Sequence, residues 1–140
     1  MRAEKSTRRN SRTGDVFSAN NAQRLAERGN ADASPLILND PPYGTERCYN
    51  GLRLVLAPRA VFSMADAVAA AKSGQKMPDG YYNTERMLKG VLAGKGQILL
   101  CGTCMEARGI SDTDIVAGAR RSSMAELATT IISAEKVLVF

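Results

Sequence analysis

The chain has 140 residues with 44% apolar and 24% charged side chains, which is typical of one globular domain. Residues 1–33 hold seven Lys/Arg against four Asp/Glu and the remaining residues twelve against ten, so the formal charge of +5 gives no reason to predict nucleic acid as a partner. The chain contains no histidine, which excludes a Ser-His-Asp triad, a Cys-His pair and any metal site that needs a histidine ligand.

The cysteine count and the lack of a long apolar run indicate where the protein works. Three cysteines without a secretory signal predict a reducing, cytoplasmic compartment in which the thiols are free. No apolar run approaches the roughly 18 residues of a membrane helix, so no membrane partner is predicted. Phosphate-binding and dinucleotide-binding patterns are missing, and no cofactor is predicted.

Residues 1–33 differ in composition from the rest of the chain. They are rich in Arg, Asn, Ser, Ala and Glu and hold few large apolar side chains, so they predict a basic, disordered tail. Arg8, Arg9 and Arg12 leave open a targeting or polyanion-binding arm. Residues 34–140 are then the folded domain.

Short apolar runs alternate with helical patterns from residue 34 onward. Strands are predicted at 36–38 and 61–64, with a helix at 45–57 between them that Pro58 ends. A second helix covers 65–73, and Asn83 or Thr84 caps a third. The apolar face of this third helix consists of Met87, Leu88, Val91 and Leu92.

The second half of the domain continues the alternation. A strand ends at Cys101, and acids after Ser111 predict the start of another helix. Ser123 and Glu126 have capping-box spacing for the last helix, and residues 136–140 form a closing strand. This order predicts an α/β fold with a mostly parallel central sheet of about four to five strands and helices on both faces.

Two thiols lie where such a fold concentrates its chemistry. Cys101 ends the apolar run of the strand, Gly102 and Thr103 form a turn, and Cys104 follows. Ligands bind just outside the carboxyl ends of strands in open α/β sheets. Because free cysteine is often a buried, inert residue, packing remains the alternative for both thiols.

Polar residues follow the first predicted strand as well. Asn39, Asp40 and Tyr43 would lie at the same sheet edge as Cys101 if the strands are parallel. Together with Gly102, Thr103 and Arg108 they are candidates to line a common pocket. The alternative is that residues 39–44, with their two prolines and a glycine, only form a rigid turn.

Several separate blocks, in order, resemble the DsrE/DsrF-like family from about Leu36 to Phe140. The resemblance implies a three-layer α/β/α domain that assembles into dimers, trimers or hexamers. It also implies a role in sulfur relay, in which a cysteine after a central strand carries a persulfide. The matching blocks are Leu38-Asn39-Asp40-Pro41-Pro42-Tyr43-Gly44-Thr45-Glu46-Arg47, Asp66-Ala67-Val68-Ala69-Ala70-Ala71-Lys72, Gly80-Tyr81-Tyr82-Asn83 and Leu100-Cys101-Gly102-Thr103-Cys104-Met105-Glu106-Ala107-Arg108-Gly109.

The Cys-to-Arg-Gly spacing of the family places the persulfide at Cys101. Cys104 is then a resolving thiol that attacks this persulfide or closes a disulfide, or else a packed small residue. Arg108 is a candidate cation beside the thiolate, with a solvated surface side chain as the alternative. Cys48 is predicted to be structural. The implied protein is a possible sulfurtransferase subunit with sulfur donor and acceptor proteins as partners.

A second function remains open, because the segment between the first helix and the next strand is short. It consists only of residues 57–60, which is fewer than in relatives of this kind. On this hypothesis the chain is a non-catalytic oligomeric binding or assembly module, a truncated inactive copy of the same fold. Both hypotheses predict a homo-oligomer, because the apolar faces of the third and last helices exceed what one face of a small sheet covers. The stripe on the last helix comprises Met124, Leu127, Ala128, Ile131 and Ile132.

Overall fold

A computed structural model describes residues 34–55 and 59–140, and a five-stranded parallel sheet forms their centre. The predicted tail, residues 1–33, lies outside the described residues. The strand order is β4-β3-β2-β1-β5, and every neighbouring pair is parallel, which confirms the predicted α/β fold. The strands are β1 (Leu36–Leu38), β2 (Ala60–Ser63), β3 (Gln97–Cys101), β4 (Ala119–Ser122) and β5 (Leu138–Val139).

Helical segments connect these strands, as parallel pairing requires. Within the described residues, each helix is too short or too polar to cross a membrane. The helical segments are α1 (Arg47–Arg53), a 3₁₀ helix (Ala65–Ala71), α2 (Thr84–Ala93), α3 (Gly102–Glu106) and α4 (Met124–Ser133).

The three central strands are buried on both faces. Helices cover both sides of a parallel sheet, so both faces of these strands are apolar. Each strand is therefore a continuous apolar run without alternating polar residues. Phe62 of β2 and Leu100 of β3 are among the most buried side chains. Gly51 brings α1 close to this layer, since a Cβ there would lie 2.9 Å from Leu38 Cδ2.

The two amphipathic helices use their apolar faces differently. Leu88 and Val91 of α2 are buried in the core. On α4 only Leu127 is buried, whereas Met124 is 49% exposed and Ile132 is 85% exposed. The excess apolar surface that the sequence predicts is therefore concentrated on α4.

The prediction of a helix that starts at Ser111 is wrong. The Asp114 carboxylate accepts hydrogen bonds from both the Ser111 N–H and its hydroxyl, which closes a turn instead of opening a helix. Strand β4 then follows at Ala119–Ser122, where no strand is predicted. Its sequence Ala-Arg-Arg-Ser carries no apolar run because β4 is an edge strand, and a polar edge is tolerated there.

Two further predicted helices differ from the observed ones. Helix α1 begins at Arg47 and ends at Arg53, and the Thr45 hydroxyl donates to Asp40 instead of capping the helix. The segment after β2 is a 3₁₀ helix that ends where Lys72 becomes extended, before Gly74. Residues 56 and 57 of the predicted first helix lie outside the described residues.

Candidate functional site

Strand β3 ends at the first thiol of the Cys-x-x-Cys segment. Cys101 has extended backbone angles and pairs with Ser122 of β4, and α3 begins at the next residue, Gly102. The thiol of Cys101 is buried, with 3% of the residue exposed. The predicted position of this cysteine at the carboxyl edge of the sheet is observed.

Hydrogen-bond donors surround the Cys101 sulfur. The Thr103 hydroxyl lies 3.3 Å from Cys101 Sγ. Burial acts to raise the pKa of Cys101, but hydrogen bonds from the Thr103 hydroxyl, the Cys104 thiol and the backbone N–H groups of Cys104 and Thr103 outweigh it, so the pKa is lowered from 9.0. A lower pKa increases the thiolate fraction, and the thiolate is the nucleophilic form.

Cys104 lies beside Cys101, but its surroundings shift its pKa in the opposite direction. Burial and the hydrogen bond that it donates to Cys101 raise the pKa of Cys104, while the Ala65 N–H opposes this shift. The Ala65 N–H reaches Cys104 Sγ at 3.2 Å. The surroundings therefore favour ionisation at Cys101 and retention of the proton at Cys104.

The donor at Ala65 is a strained residue, the first of the 3₁₀ helix that follows β2. Ala65 has φ 48°, in the left-handed region that costs a non-glycine residue roughly 1–2 kcal/mol. This conformation aims its N–H at a sulfur that lies 39 positions later in the chain. Such strain is often found at functional sites.

Arg108 does not contact the Cys101 sulfur, and it links α3 to the 3₁₀ helix through hydrogen bonds. Its guanidinium donates to Asp66 at 2.7 Å and to the Cys104 carbonyl at 3.1 Å. The Arg108 charge is a minor influence that acts to lower the pKa of Cys104. The residue is thus tied to the site through Cys104.

Arg121 of β4 is a site residue that the sequence analysis missed. Its Nη1 donates to the Gly102 carbonyl at 3.3 Å and to Glu106 at 2.7 Å, and its Nε donates to Asp112 at 3.2 Å. No sequence signal marked it, because β4 itself lacks the apolar pattern of a strand.

The polar residues after β1 have their own partners. Asp40 contacts Thr45 and Arg47, and its charge acts on Cys48. The Asn39 N–H donates to the Phe140 carbonyl at 2.7 Å. The observed hydrogen bonds of Asn39 and Asp40 do not reach Cys101 or Cys104.

Tyr43 joins a polar cluster around the start of α2. Its hydroxyl donates to Gln75, and the Thr84 N–H donates to that hydroxyl at 3.3 Å. The Tyr43 ring also stacks on Tyr82, at 5.5 Å between centroids, and Tyr82 stacks on Tyr49 at 4.2 Å. These contacts anchor the loop after β1, and none of them involves the thiol pair.

Cys48 lies in α1 and is fully buried. Burial, together with the charge of Asp40, raises the pKa of Cys48 to about 12. All three cysteines are free, and no group of three or more His, Cys, Asp or Glu side chains in the described ranges is arranged to hold a metal ion.

Comparison with known proteins places this geometry in a family. The model of the DsrE/DsrF-like family matches residues 35–140. The chain belongs to the DsrE/DsrF-like family. It is similar to protein YchN of Escherichia coli K12, with 39% identity over 75% of this chain and 96% of YchN. The uncharacterised protein MK0008 of Methanopyrus kandleri is 29% identical over 78% of this chain and 94% of its own.

A solved structure agrees with this assignment. The crystal structure of YchN from E. coli superimposes with a TM-score of 0.71 at 37% identity, covering 77% of this chain and 99% of that chain. Family members share the fold, and the first β-α-β unit is complete here, with β1 and β2 paired in parallel on either side of α1. The short connection after α1 therefore removes no element of the sheet.

Proposed function

We propose that this DsrE/DsrF-like protein is a persulfide carrier in a sulfur relay, with Cys101 as the sulfur-bearing residue. The observation that supports it is the strand-end thiol of Cys101, which accepts hydrogen bonds from Thr103 and Cys104 that lower its pKa. These donors stabilise a thiolate where α/β sheets carry out their chemistry. The reducing cytoplasm would keep the three free thiols in the form that this role needs.

The loading step is a sulfane-sulfur transfer from a donor persulfide, R–S–SH. The Cys101 thiolate attacks the outer sulfur of the donor, a new S–S bond forms at Cys101, and the S–S bond of the donor breaks. The donor leaves as R–S⁻ and takes a proton from solvent. An acceptor thiolate then attacks the outer sulfur of the Cys101 persulfide and regenerates the Cys101 thiolate.

Cys104 provides a second exit for the sulfur. Once it has lost its proton, its thiolate attacks the inner sulfur of the Cys101 persulfide, which forms the Cys101–Cys104 disulfide and releases HS⁻. The raised pKa of Cys104 keeps it protonated and delays this reaction until the acceptor has had time to bind. Cys104 would thus be a resolving thiol held in reserve.

Incubation with a cysteine desulfurase, cysteine and pyridoxal phosphate tests the proposal. Intact-mass spectrometry should show the addition of about one sulfur atom to the wild-type protein and none to Cys101→Ser. Cys104→Ser should load sulfur and release less HS⁻. Cys48→Ser is the matched control, because it removes a thiol outside the site. Equal uptake by Cys101→Ser and wild type would refute the carrier role.

One observation favours the second candidate, a non-catalytic binding or assembly module. Cys101 is only 3% exposed, so a donor persulfide must displace neighbouring side chains to reach its sulfur. In that case the purified protein would resist sulfur loading from small persulfides and from the desulfurase alike. Stable co-purification with a partner or ligand would then support the binding role.

The exposed apolar face of α4 supports self-assembly, which we propose as part of either function. Met124 is 49%, Ile131 38% and Ile132 85% exposed, and such a surface is costly on a monomer. A symmetric dimer, trimer or hexamer would cover it. Light scattering should give a smaller mass for Ile132→Glu than for wild type or for Ala93→Glu, a control on α2. A monomeric wild-type protein would contradict this prediction.

A further inference from the structure

Arg121 lies beside the turn that carries the thiols, although it is distant in sequence. It pairs with Leu100 across β3 and β4, so its side chain begins one position before Cys101. The guanidinium extends over the turn and donates through Nη1 to the Gly102 carbonyl. Its stem packs on the same residue, since a Cβ on Gly102 would lie 3.1 Å from Arg121 Cγ and 3.2 Å from Cδ.

The Gly102 carbonyl and the Thr103 N–H belong to one peptide unit. That peptide is trans and planar, so its carbonyl and its N–H point in opposite directions. Arg121 occupies the carbonyl end, and the other end leads into Thr103, whose hydroxyl lies 3.3 Å from Cys101 Sγ. A cation on the carbonyl fixes the orientation of this peptide and, with it, the position of the Thr103 side chain beside the sulfur.

Acidic neighbours hold the guanidinium in this position. Nη1 of Arg121 also donates to Glu106 at the end of α3, and Nε donates to Asp112 in the following turn. Together these contacts hold the guanidinium through its Nη1 and Nε atoms. The neighbouring Arg120 is engaged elsewhere, because it pairs with Glu126 of α4.

We propose that Arg121 is a positioning residue for the Cys101 thiolate, acting through the Gly102–Thr103 peptide, an inference that rests on the proposed carrier function. The side chain does not touch the reacting sulfur. It orders the peptide that carries Thr103, whose hydroxyl lies against that sulfur. It thereby sets the nucleophilicity of Cys101. Its role is separate from that of Arg108, which pairs with Asp66 on the 3₁₀ helix and contacts the Cys104 carbonyl.

The test measures the alkylation rate of Cys101 by iodoacetamide between pH 5 and 10, with the modified residue located by tandem mass spectrometry. Arg121→Met keeps the stem over Gly102 and removes the donors, so the midpoint of the rate profile should move to higher pH. At pH 7 the rate should fall roughly three- to tenfold, as expected for a pKa higher by half to one unit. Arg120→Met makes the same change in net charge on the same strand and should leave the profile unchanged.

Arg121→Lys separates positioning from charge, because lysine keeps the charge and lacks the planar fork. It should recover no more than half of the lost rate. A profile for Arg121→Met that matches Arg120→Met, or an Arg121→Lys profile that matches wild type, would overturn the proposal. If Arg121→Met fails to fold, Arg121→Lys decides alone. Alkylation needs no sulfur donor, so this result is independent of whether the protein loads sulfur.

Discussion

Cys48 in α1 and Cys101 at the end of β3 are both buried thiols, yet their surroundings shift their pKa values in opposite directions. Cys48 has apolar neighbours and a nearby carboxylate at Asp40, and its pKa rises to about 12. Cys101 is nearly as buried, but hydrogen bonds from Thr103 and Cys104 lower its pKa. The difference shows that hydrogen-bond donors around the sulfur, rather than its depth, decide the direction in which the pKa of a buried cysteine shifts here.

Alkylation of the native protein at pH 7 should give the largest contrast between the two thiols. A pKa of about 12 instead of the ordinary 9.0 reduces the thiolate fraction of Cys48 about a thousandfold. The pKa of Cys101 is lowered from 9.0, so its thiolate fraction is increased. Iodoacetamide should therefore label Cys101 long before Cys48, as followed by peptide mass spectrometry. In guanidinium chloride both should react at similar rates. Equal labelling in the folded state would show that the comparison is wrong.

The two thiols should also contribute oppositely to the pH dependence of stability. Cys48 holds its proton in the folded state up to about pH 12 but loses it near 9 when unfolded, so its contribution to stability is full below pH 9 and is lost as pH rises toward 12. That loss is at most about 1.4 kcal/mol per pH unit. Urea unfolding at pH 8–11 should show a shallower alkaline decline for Cys48→Ala than for wild type.

The sign reverses for Cys101. Its folded-state pKa lies below the unfolded value, so deprotonation favours the folded state and its contribution grows as pH rises toward 9. Cys101→Ala should lose this gain in the same experiment. A steeper alkaline decline for Cys48→Ala, or no change for either variant, would contradict the assigned directions.

Removing one donor should move Cys101 part of the way toward the behaviour of Cys48. Thr103→Val keeps the shape of the side chain and deletes the hydroxyl that lies 3.3 Å from Cys101 Sγ. We expect the alkylation rate at pH 7 to fall about three- to fivefold, because one of several donors is lost. Thr103→Ser retains the hydroxyl and should react like wild type, so equal rates for the Val and Ser variants would exclude this role of the hydroxyl.

The smallest expected effect is at Ser63, a buried polar residue of the core, and it concerns the free energy of unfolding. Its hydroxyl at the end of β2 is buried and has no hydrogen-bond partner among the described residues. Ser63→Ala removes an unsatisfied group and should raise the free energy of unfolding by up to about 1 kcal/mol. Ser63→Thr adds a methyl group to a packed site and should lower it. Urea midpoints measure both, and a destabilised Ser63→Ala would point to a partner for the hydroxyl.

Much of the fold and part of the site could be predicted from local patterns. The apolar runs of β1, β2 and β3 indicate a parallel sheet because strands covered on both faces cannot alternate. Cys101 could be located at a strand end because it is the last residue of such an apolar run and Gly102 follows it. Strand β4 escaped prediction, since an edge strand needs no apolar run and its Ala-Arg-Arg-Ser sequence carries no period.

The candidate site was predictable only where its contacts are short in sequence. Thr103 and Cys104 follow Cys101 within three positions, so their proximity depends on one turn. The Ala65 N–H and the Arg121 guanidinium reach the site from separate elements, and local sequence holds no information on such pairings. The direction of Arg108 toward Asp66 was equally open, because a long side chain has many rotamers until a partner selects one.

The sequence by itself determined the family, because several blocks of it, in order, resemble the DsrE/DsrF-like family. It also determined the parallel α/β architecture and the placement of two thiols at a sheet edge, which follow from apolar periodicity and residue spacing. The tertiary structure alone decided which thiol carries the lowered pKa and which the raised one. Proton affinity depends on burial and on donors within a few ångströms of the sulfur. Those donors include groups that lie 39 positions away in the chain and become neighbours only when the chain has folded.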